Sequence, residues 1–308
     1  MDLSPIRSVA IEGLRRDLVY LTESPLPYRK VNYTRPGQSV SSLAEADAYL
    51  VGRLELAGWS PRQVPCRVQA FRCDSSKPLH HWYSAPAPED PWYDTCNIEA
   101  ERVGAAHPEE IIQLIAHKDS MSWIDSPGAH DNAAGTVALL EIARVLSGVP
   151  LRRTVRLLFC NEEHTPWTSR LAAAAAAARG DRLIAVLNVD SIAGKSDADR
   201  AAGKMLHAVG YSTDEGRPLA EMIRGLNDRH GIGLEVAVVH KARVNDDDGM
   251  FIKEGFRTTV MNVGSWPYGD EEYHLPGDRW QRVDLENLRR STQLMVAAVL
   301  ELDERGAP

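Results

Sequence analysis

Four cysteines in 308 residues, none in a CxxC spacing, leave little material for a disulfide framework or a thiolate metal site. Cys66, Cys73, Cys96 and Cys160 are expected to be reduced structural thiols, with a Cys66–Cys73 bond as the alternative. Long apolar runs are missing as well. No segment nears the ~20 apolar residues of a membrane span, and the opening MDLSPIRSVAIEGLRRDLVYL holds no uninterrupted apolar stretch of the signal-peptide kind. The expectation is a cytoplasmic chain with no membrane partner. Nor is there a basic excess: a net charge of -8 and a pI near 5.7 argue against a nucleic-acid partner. No internal repeat or low-complexity linker interrupts the chain apart from a short alanine run, so 1–308 reads as one domain.

What is present is a regular alternation of strands and helices. Residues 5–22 and 41–58 read as helices, the second with Ser42 as N-cap, Glu45 three residues on and Gly58 near its end. RQVPCRVQAF has strand character, and SSKPLHHWYSAPAPEDPWYD reads as a long loop. NIEAERVG and EEIIQLIAHKD read as a pair of strands. Thr136–Leu146 carries apolar residues at helical spacing. RTVRLLFC is a strand, LAAAAAAARG a helix closed by glycine, and DRLIAVLNVD a strand. Helix 219–229, strands LEVAVV and TTVMNVG, and a closing helix 284–301 complete the series. The pattern predicts an α/β fold: a mixed, mainly parallel central sheet flanked by helices on both faces.

Ionisable groups cluster where these strands end. LIAHKD ends in His117 and Asp119, and SPGAHDNAAG presents Asp131 just before a helix. LLFCNEE ends in Glu162 and Glu163, LIAVLNVD in Asp190, and a late loop, DEEYHLPGD, carries His274. In open α/β sheets ligands bind at the carboxyl ends of the strands. Each residue alone fits a turn, a cap or a loop hydrogen bond. Together they would bury many carboxylates at one place, which demands a compensating positive charge. Two histidines and several carboxylates form a donor set that suits zinc.

The ordered set HKD, PGAHDNAAG, EE, NVD, DDDGMFIKEG and YHLPGD resembles the di-zinc aminopeptidases, a family that includes bacterial leucyl aminopeptidases and is similar to glutamate carboxypeptidases and glutaminyl cyclases. The resemblance spans at least residues 97–301. It implies a zinc-exopeptidase-like fold and two zinc ions per chain. His117 and Asp190 resemble the ligands of one ion, Glu163 and His274 those of the other, and Asp131 the bridge. Glu162 resembles the general base, and Asp119 the acid that orients His117. Asp247 matches an aspartate of the family's SDHxxF motif and equally suits a helix cap; Asp246 and Asp248 read as a solvated cluster. Successive strand residues point to opposite faces, so a ligand and a base at 162 and 163 require a turning backbone. Gly135 is expected to allow close helix packing, and Asn132 to hold the Asp131 loop.

The sequence also departs from the family pattern. After EE the family has a glycine- and serine-rich loop, where this chain has HTPWTSR; His164 is read there as a non-ligand. His130 replaces an acid before the bridging aspartate. Trp123, Trp167 and Trp266 on the motif-bearing loops fit either packing or an aromatic-lined pocket. His80 and His81 read as surface or packing residues. The leading functional expectation is a metal-dependent aminopeptidase acting on a peptide or small amide. Glutaminyl cyclase, and a carboxypeptidase or small-molecule amidohydrolase on the same scaffold, are the alternatives. Arg170, Arg243 and Arg257 are open candidates for a substrate carboxylate, and the oligomeric state is left open.

Overall fold

The computed structural model describes residues 4–308. Its strands are β1 (Ser60–Ala70), β2 (Arg72–Cys73), β3 (Tyr83–Ser84), β4 (Tyr93–Arg102), β5 (His107–His117), β6 (Arg153–Cys160), β7 (His164–Thr165), β8 (Arg182–Val189), β9 (Leu206–Tyr211), β10 (Glu235–His240) and β11 (Thr259–Val263). Its helices are α1 (Ser4–Arg7), α2 (Ile11–Thr22), α3 (Ser42–Leu56), α4 (Gly135–Leu146), α5 (Thr168–Arg179), α6 (Asp197–Ala201), α7 (Gly216–His230), α8 (Asp246–Lys253) and α9 (Leu285–Arg305).

Nine strands form one sheet in the order β10-β9-β11-β8-β5-β6-β4-β1-β7. The central run β11-β8-β5-β6 is parallel, while β4, β1 and β7 on one side and β9 against β11 on the other pair antiparallel. Alternation along the strands covers both faces. Ile112, Leu114 and Ala116 of β5 join Val155, Leu157 and Phe159 of β6 in the larger core, which also takes in residues of α2, α3, α4, α7 and α9. Ile115, Leu158, Cys160 and Val186 face the other way and pack with Ala172 and Ala173 of α5 and Met250 and Phe251 of α8. The alanine run thus lets α5 lie close to the sheet. With β5, β6 and β8 parallel, His117, the Glu162–Glu163 pair and Asp190 leave the sheet at the same edge.

Several expectations are corrected. The first helix is broken into α1 and α2, and the Ala10 backbone N–H at the start of α2 donates to Glu141 Oε1 at 2.6 Å. The N-cap of α3 is Ser41, whose hydroxyl accepts from Ala44 N; Ser42 is buried and bonds to Lys30, and Glu45 pairs with Arg35. The long loop after β1 contains the small hairpin β2–β3. Strands β4 and β5 are not neighbours, because β6 lies between them. His164–Thr165 adds an edge strand against β1, and both β9 and α6 were unforeseen. All four cysteines are free, so the Cys66–Cys73 alternative is discarded. No described helix is long and apolar enough to cross a membrane.

Candidate metal centre and active site

The turn Ala129–Ala134 between β5 and α4 leaves helical geometry at Asp131 (φ -112°, ψ 92°) and Asn132 (φ -130°, ψ 43°), and this aims the Asp131 carboxylate outward. Its surroundings hold it there. Asn132 donates to Val189 O at 2.9 Å and accepts from Gly135 N at 2.8 Å and Ser191 N at 3.1 Å, tying the turn to the end of β8. A Cβ on Gly135 would lie 2.2 Å from Val189 O, so a side chain has no room there. The Asp278 carboxylate accepts the backbone N–H groups of His130 (2.8 Å) and Asp131 (3.1 Å).

Each oxygen of Asp131 faces a different histidine. His117 Nε2 lies 2.9 Å from Oδ1 and His274 Nε2 lies 3.1 Å from Oδ2. His117 Nε2 is also 3.5 Å from Asp190 Oδ1, and His274 Nε2 is 3.3 Å from Glu163 Oε1. Ligand atoms of His117, Asp131 and Glu163 fall within 4.8 Å of one another, as do those of His117, Glu162 and Asp190. Six of the seven residues named at the strand ends line one cavity of about 330 Å³. Asp119, the seventh, is wholly buried behind them.

Asp119 organises the turn that the Glu162–Glu163 pair required. Its Oδ1 accepts from His117 Nδ1 (3.2 Å) and Glu162 N (3.0 Å); its Oδ2 accepts from Glu163 N (2.9 Å) and His164 Nδ1 (2.7 Å). The remaining His164 nitrogen accepts from Val31 N at 3.3 Å. His164 therefore spends both ring nitrogens inside the protein and faces away from the cavity.

Burial raises the Glu162 carboxyl well above its usual range, reinforced by Asp247 and Asp246. Burial lifts Glu163 to about 7 against the pull of His274, and raises Asp190 as well. Burial alone would lower the two histidines, but Asp119, Asp131 and Asp190 carry His117 well above its usual value, and Glu163 and Asp131 carry His274 to about 10. The buried Glu162 Oε2 has no hydrogen-bond partner among the described residues. This is a donor set that lacks enough positive charge of its own, and its imidazole nitrogens and carboxylate oxygens fit a zinc-type cation.

Two holding devices were invisible in the sequence. Arg29 is fully buried and donates to the carbonyls of Leu21 (2.8 Å), Lys118 (2.8 Å), Pro127 (2.7 Å) and Gly128 (2.9 Å), fastening the chain on both sides of the site. The second is a reciprocal clasp. His80 Nδ1 donates to Tyr273 O at 2.6 Å, and His274 Nδ1 donates to His80 O at 2.8 Å, which leaves His274 Nε2 turned to the carboxylates. Both residues sit at positive φ, 73° and 59°, and Tyr273 stacks on the His274 ring at 3.8 Å. The reading of His80 and His81 as surface or packing residues is corrected: His80 orients His274, and His81 lines the cavity. The only sequence signal was the crowding of Pro, His and aromatics in that loop.

The aspartate cluster is also corrected. Asp247 and Asp248 are buried, and Asp246 is partly so. Asp248 pairs with Lys241 at 3.0 Å, and Asp247 accepts from Cys160 Sγ at 3.0 Å within the first turn of α8, not as its cap. His130 is wholly buried, 2.8 Å from Asp270 and 3.2 Å from Asp278, which raise it to about 9 despite its burial. Trp123, Trp167 and Trp266 all line the cavity, with Phe71 and Tyr83 beside them. Of the three open arginines, Arg243 lines the cavity, while Arg257 pairs with Glu215 at 2.7 Å.

The sequence model described as Peptidase family M28 matches residues 97–299. Aminopeptidase YwaD of Bacillus subtilis is 26% identical over 208 residues, covering 63% of this chain and 41% of the relative; the chain thus spans less than half of that protein's length. The aminopeptidase from Aneurinibacillus sp. strain AM-1 shares the fold with a TM-score of 0.73 at 13% identity, covering 97% of this chain and 95% of that one. The glutaminyl cyclase of Porphyromonas gingivalis does so with a TM-score of 0.70 at 15% identity, covering 98% and 99%. At these identities the two structures establish the architecture alone.

Proposed function

The chain belongs to peptidase family M28, and from that premise we propose that it is a zinc-dependent exopeptidase, in the first place an aminopeptidase, hydrolysing a peptide or related amide bond at the cavity. The observation that carries this reading is the sharing of Asp131: its two oxygens face two histidines at 2.9 and 3.1 Å, each histidine backed by its own further carboxylate. His117 and Asp190 would hold one zinc, Glu163 and His274 a second, with Asp131 common to both. Bound divalent ions polarise the scissile carbonyl and make water acidic enough to attack near neutral pH.

The chain's own residues do the rest. Glu162 lines the cavity with one oxygen unpartnered, and it accepts a proton from the attacking water. The water oxygen bonds to the carbonyl carbon, the C–N bond breaks, and Glu162 returns the proton to the departing nitrogen. Asp119 fixes the direction of His117 and the backbone of Glu162 and Glu163, so ligand and base keep separate orientations. The aromatic wall excludes water and favours apolar side chains.

The test is an activity panel of aminoacyl amides, amino-blocked peptides with free carboxyl ends, and N-terminal glutaminyl peptides, run before chelation, after it and after zinc return. Release of the N-terminal residue that follows zinc is the expected result. Cyclisation of the glutaminyl peptides without hydrolysis would transfer the assignment to a glutaminyl cyclase, and full activity in a zinc-free protein would remove the reading.

A further inference from the structure

The cavity is strongly acidic, yet among the described residues it holds one unclaimed arginine. Asp131, Glu162, Glu163, Asp190 and Asp246 all contribute to its lining, and Arg243 is the sole lysine or arginine there. The neighbouring basic groups are taken: Lys241 pairs with Asp246 at 3.1 Å and Asp248 at 3.0 Å, and Arg257 pairs with Glu215. Arg243 forms no ion pair among the described residues, although its loop is fastened by a bond from Ser212 Oγ to its backbone carbonyl at 3.4 Å. An exposed guanidinium that lines an acidic cavity and pairs with none of its carboxylates remains available to an anion from outside. Its planar fork matches a carboxylate in two parallel hydrogen bonds.

The size of the cavity limits what carries that anion. A volume of about 330 Å³ is at the small end of the ~300–1,000 Å³ range of small-molecule sites. Apolar groups supply much of the wall, among them Phe71, Trp123, Met261 and Val263. These features fit a ligand of two or three residues with apolar side chains. We propose that the substrates are short peptides with a free carboxyl terminus, and that Arg243 binds the terminal carboxylate while the scissile bond lies at the Asp131 centre. The proposal rests on the exopeptidase reading above and narrows it to di- and tripeptides.

The experiment compares leucyl-leucine with leucyl-leucinamide on the zinc-loaded protein. The two differ only in the terminal group, a carboxylate in one and a neutral carboxamide of similar size in the other. The free acid is expected to be favoured up to about 5-fold in kcat/KM, mainly through KM, as suits an ion pair made by the exposed Arg243. Arg243→Gln should lower kcat/KM for leucyl-leucine to the amide's value, and Arg243→Lys should restore part of the preference. Arg257→Gln, at a cation already paired outside the cavity, should leave the ratio as it is in the unsubstituted protein. Equal or faster hydrolysis of the amide, or a preference that survives Arg243→Gln, overturns the proposal while leaving the exopeptidase reading intact. Hydrolysis of neither compound by the zinc-loaded protein rejects both together.

Discussion

Two sets of buried histidines in this fold make opposite electrostatic choices. His207, on β9, is wholly buried and meets only neutral partners: Ser291 Oγ at 3.2 Å and Asn262 Oδ1 at 3.2 Å. Burial is unopposed there by any carboxylate and lowers the ring to about 4, so it stays neutral. His117 and His274, as deeply buried, lie within 2.9–3.5 Å of carboxylates and are pushed up instead. The side chain is the same and so is the loss of water; the partner decides the sign. Carboxylates beyond what the protein's own cations can neutralise mark a place built to receive a cation, whereas an amide and a hydroxyl mark a structural joint.

The contrast can be broken most severely at Asp131. Asp131→Ala removes the carboxylate common to both histidines. It should reduce peptide hydrolysis to the uncatalysed background and lose bound zinc from both positions, as measured by metal analysis after gel filtration. His117→Ala should spare part of the zinc. An Asp131→Ala protein that keeps its full metal content would refute the shared-ligand arrangement.

Next in size is Glu162→Gln, which keeps shape and hydrogen bonding but accepts no proton. Turnover should fall by about 10²–10⁴-fold, with zinc content and KM preserved. Glu163→Gln should instead weaken zinc binding, partly rescued by excess metal. Near-normal turnover in Glu162→Gln would mean that the adjacent acids are a loop feature or exchange roles.

The neutral side of the comparison gives a pH effect on stability. In the unfolded chain His207 takes up a proton near 6.5, but in the folded protein only near 4. The stability from its neutral form is therefore whole above pH 6.5 and is lost as pH falls toward 4, amounting to about 3 kcal/mol. Urea unfolding of the unsubstituted protein and of His207→Gln should show a gap between them that narrows by about that amount over this window. A constant gap would show that His207 already carries its proton in the fold.

The smallest effect is expected at the clasp. His80→Ala removes the donor to Tyr273 O and places a less suited residue at φ 73°. Zinc affinity measured by chelator competition should weaken by about 10-fold, with His80→Asn falling less because asparagine tolerates positive φ. An unchanged affinity would reduce the hairpin to a cavity wall.

Much of the chain was readable because the signals were local. Apolar periodicity marked the central strands and α4, and polar groups at strand ends marked the edge where the cavity lies. The errors have physical causes too. Asp246 and Asp248 looked solvated because adjacent acids are usually exposed, and nothing nearby announces that Lys241 will pair with them or that Cys160 will meet Asp247 between them. LHAVGY, which forms β9, is short and flanked by polar turns, so its strand character was too weak to register.

By itself the sequence determined the central strands and the longer helices, the order in which acids and histidines leave the sheet, and the turning backbone that two adjacent glutamates need, because each depends on neighbouring side chains alone. Only the tertiary structure decided which oxygen of Asp131 meets which histidine, that Asp119 bonds to four groups at once, and that the carbonyl of His80 orients a histidine 194 positions away. It also decided that Arg243, of three arginines equally open in the sequence, borders the cavity. The reason is physical: backbone carbonyls and amides are the same at every position and leave no mark in the residue code, and charge balance in a buried site is a sum over segments that come together only when the sheet has formed.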